Sequence, residues 1–112
     1  SATTAGDFTI TLSNLTTLNG ANWREHGLLM YYMGVDGSLA NSTTLFTSIR
    51  LRGLNTWDAT VQSNIISTAT ISASSKTTTG VTITVDVPDN NNGTVFVLCL
   101  GGNNTPNISI SA

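Results

Sequence analysis

Apolar and polar side chains alternate with a period of two along most of the chain. Phe8, Ile10 and Leu12 alternate with Thr9 and Thr11, and Val81, Ile83, Val85 and Val87 with Thr82, Thr84 and Asp86. Ile65, Ala69, Ile71 and Ala73 share one parity, opposite Thr68, Thr70, Ser72 and Ser74, while Ile108 and Ile110 alternate with Ser109 and Ser111. This period describes strands with one face in a core and one polar face. Two segments break the alternation. Leu28–Met33 and Val95–Leu100 are apolar at every position, as in strands that lie centrally or are covered on both faces. Leu45–Arg52 reads as a further strand with Arg50 and Arg52 on one side, and Trp57–Val61 as a short one. The total is about eight.

Asp36-Gly37, Asn92-Gly93 and Gly101-Gly102 are the strongest turn signals, and the polar Ser75–Gly80 connection joins 65–74 to 81–87 as a hairpin. The only helical signal is a single turn over residues 22–27, with Asn22 as cap, Glu25 answering it and Gly27 ending it. Neither repeat nor linker is visible. The prediction is an all-β chain, one domain over residues 1–112, folded as an antiparallel β-sandwich, jelly-roll or immunoglobulin-like, of seven to eight strands. Its expected core includes Phe8, Ile10, Leu12, Leu29, Ile49, Ile71, Ile83, Val85, Val97 and Ile110.

Composition changes the picture in one respect. Charged residues are only 9% of the chain, whereas Thr, Ser and Asn number 20, 12 and 12 of 112 residues. The polar surface is built from hydroxyls and amides. With four Lys and Arg together and a net charge of −2, the chain lacks the cations that neutralise phosphates or attract anionic lipid. No nucleic-acid partner is expected, and no membrane insertion, since the apolar runs are too short to span a bilayer. The chain opens at Ser1, which we read as an initiator Met or a leader removed. Cys99, the single cysteine, lies within an apolar run and reads as a small buried hydrophobe.

Catalysis needs positioned titratable groups, and the chain has one His, one Cys, one Glu and five Asp. A Ser-His-Asp triad could in principle use His26 with Asp36 or Asp58, since triads are made in space, but no nucleophile elbow is present. We therefore expect no enzymatic activity. One His and one Cys do not make a zinc site. Asp86, Asp89, Asn90, Asn91 and Asn92 offer oxygen ligands to Ca2+, but Pro88–Gly93 is read more simply as a turn joining two strands, so no cofactor is expected. Asn-x-Ser/Thr sequons at Asn14, Asn41, Asn92, Asn103 and Asn107 are little more than this composition yields by chance. Thr68/Thr70, Thr77/Thr79 and Thr82/Thr84 have the spacing of an ice-binding array, a minor reading because Thr favours any solvent-facing strand.

Two readings of function remain. In the first, the chain is a structural subunit that assembles with copies of itself outside a cell or on a virion. Low charge means weak self-repulsion, and one Lys and two Pro protect sheet edges poorly. The small, polar Ser1–Gly6 has no evident anchor, so strand addition to a neighbour through Asp7–Leu12 or Asn107–Ser111 is expected to hold it. In the second reading the chain is a lectin-like module for cell-surface carbohydrate. Trp23 and Trp57 each stand beside charge, and a glycan site would draw on Trp23, Arg24, His26, Trp57 and Asp58. The simpler alternative is that each Trp plugs an end of the core with its indole N–H bonded locally.

Overall fold

The computed structural model describes residues 2–35, 43–66, 70–87, 92–101 and 106–111. Among them are nine strands: β1 (Ala2–Ala5), β2 (Phe8–Ser13), β3 (Arg24–Val35), β4 (Thr43–Gly53), β5 (Trp57–Ile66), β6 (Thr70–Ser74), β7 (Val81–Asp86), β8 (Asn92–Leu100) and β9 (Asn107–Ser111). They form two antiparallel sheets, one of order β1-β8-β3-β4-β5 and one of order β6-β7-β2-β9. The fold is thus the expected all-β sandwich, with one strand more than predicted. Between the jelly-roll and immunoglobulin alternatives, the strand order resembles the second. Strands β2 to β8 follow the order of a variable-type domain, B-E-D in one sheet and F-C-C′-C″ in the other. Here β1 takes the place beside F that the last strand would hold, and β9 takes the place beside B that belongs to the first.

The additional strand is β1. Its expected lack of an anchor is corrected by its pairing with β8 of the same chain, Ala2 opposite Val95 and Ala5 opposite Asn92. At Gly6, whose φ is +80°, the chain turns from one sheet to the other in a conformation that glycine adopts without steric cost. Asp7 Oδ1 holds that corner by accepting the Val87 N–H at 2.7 Å. The expected turn at Asn92-Gly93 is part of β8, paired with both β1 and β3. The expected helical turn over residues 22–27 does not form, because Arg24 to Gly27 join β3 and its ladders. One helical turn satisfies few backbone groups, whereas a central strand satisfies nearly all. Asn19, not Asn22, makes the local side-chain turn, its Oδ1 accepting the Ala21 and Asn22 N–H groups at 2.8 and 3.2 Å. The 65–74 segment is divided between β5 and β6, and its hairpin with β7 runs from Thr70 opposite Asp86 to Ser74 opposite Thr82. Ala69, Asp36-Gly37, Gly102 and the Pro88–Asn91 part of the candidate Ca2+ loop lie outside the described residues.

The core lies between the sheets. Phe8, Ile10 and Leu12 on β2 and Val81, Ile83 and Val85 on β7 face Leu28, Met30 and Tyr32 on β3 and Leu45, Ile49 and Leu51 on β4. Of the expected core, Ile71, Val97 and Ile110 are half-buried against this cluster. Leu29 is a correction, since β3 presents Leu28 and Met30 inward and Leu29 has the opposite parity. In an unbroken apolar run the period carries no parity information. One end of the core is closed by a loop. Leu15 and Leu18 are buried there, and their N–H groups donate to the Thr79 and Thr78 carbonyls at 2.9 and 3.0 Å.

Candidate functional site

Seven large apolar side chains are exposed among the described residues, and five of them lie on one surface: Tyr31, Met33, Phe96, Leu98 and Leu100, each between 40 and 54% exposed. The reason is the register of the two continuous apolar runs. Strands β3 and β8 are neighbours, with Leu29 opposite Leu98 and Tyr31 opposite Phe96. Their odd and even positions fill both faces of the sheet with apolar groups. Leu28, Met30 and Val95 serve the core, and the alternate positions form an apolar band across the outer face. Phe46 on β4, opposite Tyr31, meets it edge-on at 6.0 Å between ring centroids. No described element covers this band; of the two settings expected for these runs, central in a sheet or covered on both faces, the first holds, since β8 and β3 are interior strands.

At one end of the band the face is notched. Gly27 sits on β3 opposite Leu100, and a Cβ there would meet nothing within 4 Å. The missing side chain opens a cleft of about 430 Å3, walled by Leu100, Glu25, Ser48, Arg50 and Gln62. Beyond it lies a charged cluster in which Glu25 pairs with Arg50 and, at 3.3 Å, with the Nε of Arg52. These pairs are exposed and contribute little stability, and one Glu between two Arg leaves this end of the face with a net positive charge.

The residues proposed from sequence for a glycan fall into two groups. Trp57 is fully buried as the first residue of β5, and its Nε1–H donates to the Thr16 carbonyl at 3.0 Å. His26 is also buried, its ring 5.2 Å from that of Trp57. Both are core side chains that plug one end of the sandwich. Trp23, Asp58 and Arg24 are exposed. Trp23 and Asp58 line a second cleft of about 270 Å3 with Arg52, Asn55, Thr56 and Lys76. There the Arg52 guanidinium lies 4.2 Å from the Trp23 ring centroid and Lys76 pairs with Asp58 at 3.2 Å. Arg24 does not line it.

Neither His26 ring nitrogen has a hydrogen-bond partner among the described residues. Burial therefore lowers the imidazole pKa from its ordinary 6.5, and the Leu100 and Gly101 backbone groups beside the ring only partly oppose this. A histidine held neutral in the fold but free to charge when unfolded stabilises the protein fully above the unfolded value. That contribution is lost as pH falls through 6.5 toward the folded pKa. The urea midpoint is expected to fall between pH 7 and pH 5, and to fall less in His26→Leu. An equal pH dependence in the two proteins would show that His26 is not responsible. Burial raises the Cys99 thiol pKa, which disfavours the reactive thiolate, and no group of three or more metal-binding His, Cys, Asp or Glu occurs among the described residues.

The opposite face of the sandwich differs in chemistry. On the four-stranded sheet Thr9, Thr11, Thr82, Thr84, Ser109 and Ser111 stand in register, and Thr9 and Ser111 hydroxyls lie 3.0 Å apart. One broad face is thus hydroxylated, and the other carries the apolar band with a charged cluster at one end. The molecule belongs to the β-sandwich class by fold, and its most distinctive surface is the apolar band. Compared with known proteins, the chain matches no protein-family model, no curated protein and no solved structure.

Proposed function

We propose that the protein is a non-enzymatic structural subunit of a self-assembling surface structure, such as a virion decoration, a fibre head or an extracellular filament. The observation that carries this reading is the exposed apolar band of Tyr31, Met33, Phe96, Leu98 and Leu100. The largest apolar patch of a soluble domain is often its functional surface, and interaction sites are among the surfaces such patches form. Three further features support it. The small net charge of −2 leaves little repulsion between copies. The first and last strands are each the edge of a sheet, where strand exchange between neighbours is geometrically simple. The charged groups on the apolar side are collected at one end, where they pair with one another.

The test is the mass of the protein in solution across a concentration series by light scattering, with negative-stain imaging of the same samples. A discrete oligomer, fibre or shell is the expected result. A stable monomer at high concentration would remove the structural reading.

A second reading, a lectin-like module for cell-surface carbohydrate, is favoured by one observation. Trp23 is 56% exposed above Arg52 in a cleft that also holds Asp58 and Asn55, the pairing of an aromatic face with polar groups that sugar rings require. A glycan array run on the same samples, with Trp23→Ala as control, separates it from the first reading.

A further inference from the structure

Two properties of the apolar face bear on what covers it. The first is size. Taking ~200 Å2 for a fully exposed aromatic side chain and slightly less for Leu and Met, the five exposed side chains present about 450 Å2 of apolar surface. A stable dimer buries roughly 800 Å2 on each partner, with a dry apolar centre and a polar rim. The extents of the molecule, 50 × 22 Å along its two longest axes, give a broad face large enough for both.

The second property is shape. The face carries a large exposed ring and a notch on the same strand, Tyr31 and Gly27, which lie on either side of the Leu29–Leu98 pair. In a two-fold interface every feature meets its counterpart across the axis, so a surface that binds itself must hold both members of each contact. An axis in the plane of the face, crossing the strands above Leu29 and Leu98, brings residues at equal distances on either side together. Tyr31 of one copy then stands over Gly27 of the other, Phe96 over Leu100, and Phe46 beside the Arg50 guanidinium, while Leu29 and Leu98 meet their own equivalents. Met33 of one copy stands over Glu25 of the other, whose carboxylate stays paired with Arg50 and Arg52. The remaining contacts are apolar or place a cation on an aromatic ring, and no like charges are opposed.

We propose that two copies of the chain pack face to face through the outer surfaces of their five-stranded sheets, about this axis, with Tyr31 of each copy seated in the cleft above Gly27 of the other. The inference rests on the assembly reading and assigns it a surface, a symmetry and a central contact. Sheets packed this way lie about 10 Å apart, and the result is a four-layered unit with the two hydroxylated faces outward.

The test uses the full chain in sedimentation velocity, with Leu98→Asp to place two buried carboxylates beside the axis and Gly27→Leu to fill the notch. Both positions face solvent in the isolated chain, and circular dichroism checks that each variant folds. Self-association is expected to weaken about 100-fold or more in Leu98→Asp and about 10-fold in Gly27→Leu. Thr84→Asp, on the opposite face, is expected to leave it unchanged. In a Cys99→Ser background, Leu29→Cys is expected to give a covalent dimer with a short bis-maleimide. Assembly that survives Leu98→Asp and Gly27→Leu but is lost on deleting residues 1–6 would overturn the face assignment and leave the assembly reading standing through strand addition. A wild type that is monomeric at every concentration would overturn both. A monomer whose polysaccharide binding is abolished by Leu98→Asp would give the face to a sugar instead.

Discussion

Trp57→Ala is expected to destabilise the domain by about 3–5 kcal/mol, the usual cost of truncating a buried aromatic. Domains of this size are stable by only about 5–15 kcal/mol, so this one substitution removes a large fraction of the total. The indole is fully buried, packs against His26 and closes the end of the core. Its Nε1–H also satisfies the Thr16 carbonyl, which the substitution leaves without that donor, and the Thr16 loop carries the buried Leu15 and Leu18. Trp23→Ala makes the control. Trp23 is largely exposed and its main contact is Arg52, so its loss is expected to cost no more than about 1 kcal/mol. Urea unfolding of both variants is the measurement. Similar midpoints would show that the end of the sandwich is not held by Trp57.

The second large effect is expected at the open end of β3. Gly34 and Gly93 face each other across β3 and β8, and the Tyr32 ring lies across both. A Cβ added at either glycine would fall well inside contact distance of that ring. Tyr32 is fixed in turn, stacked on Phe8 at 5.4 Å and hydrogen-bonded through its hydroxyl to Thr4. It cannot move without disturbing β1 and β2. Gly93→Ala is therefore expected to cost about 1–3 kcal/mol through overpacking. The cause can be separated from a general glycine effect. In a Tyr32→Leu background the added methyl meets a shorter side chain, and the cost should shrink by a coupling energy of at least about 0.5 kcal/mol. The same cost in both backgrounds would place the strain elsewhere. The Tyr32 contact joins the first strand to the middle of the large sheet, so this one ring couples the terminal segment to the core.

The function proposed for the protein depends on the same β3–β8 pair. Where a one-sided sheet would carry Thr or Ser on its outer positions, as β2 and β7 do, β3 and β8 carry Leu29, Tyr31, Met33, Phe96, Leu98 and Leu100. The four-stranded sheet shows that this chain readily covers an outer face with hydroxyls. The apolar outer face of the larger sheet is therefore a local departure from the chain's own pattern, and it is confined to the two strands that lie side by side.

Much of the fold was legible in the sequence because a period of two has one physical reading. The Phe8–Leu12 and Val81–Val87 alternations determined that these segments are strands, which face of each is buried, and that the polar faces would be hydroxylated. Composition supplied the weak charge. The two unbroken apolar runs also marked β3 and β8 as central strands. What they left open was parity, and Leu29 was misplaced in the core for that reason. When every position is apolar, the inward set is chosen by register and packing, here by Leu28, Met30 and Tyr32 fitting against Phe8, Ile10 and Leu12. The glycan reading needs Trp57 and His26 at the surface because charge adjoins each in sequence, whereas Trp57 follows the simpler reading of a core plug with a locally bonded indole; neighbours along a strand point to opposite faces. Asp58 and Glu25 are outside, and Trp57 and His26 are in the core. Likewise only the tertiary structure brought the two apolar runs, some 60 residues apart in the chain, into adjacent strands. Local pattern determined that strands form and which of them are apolar throughout. Long-range pairing, driven by burial of the inner faces, decided that the surplus apolar side chains would meet on one outer surface.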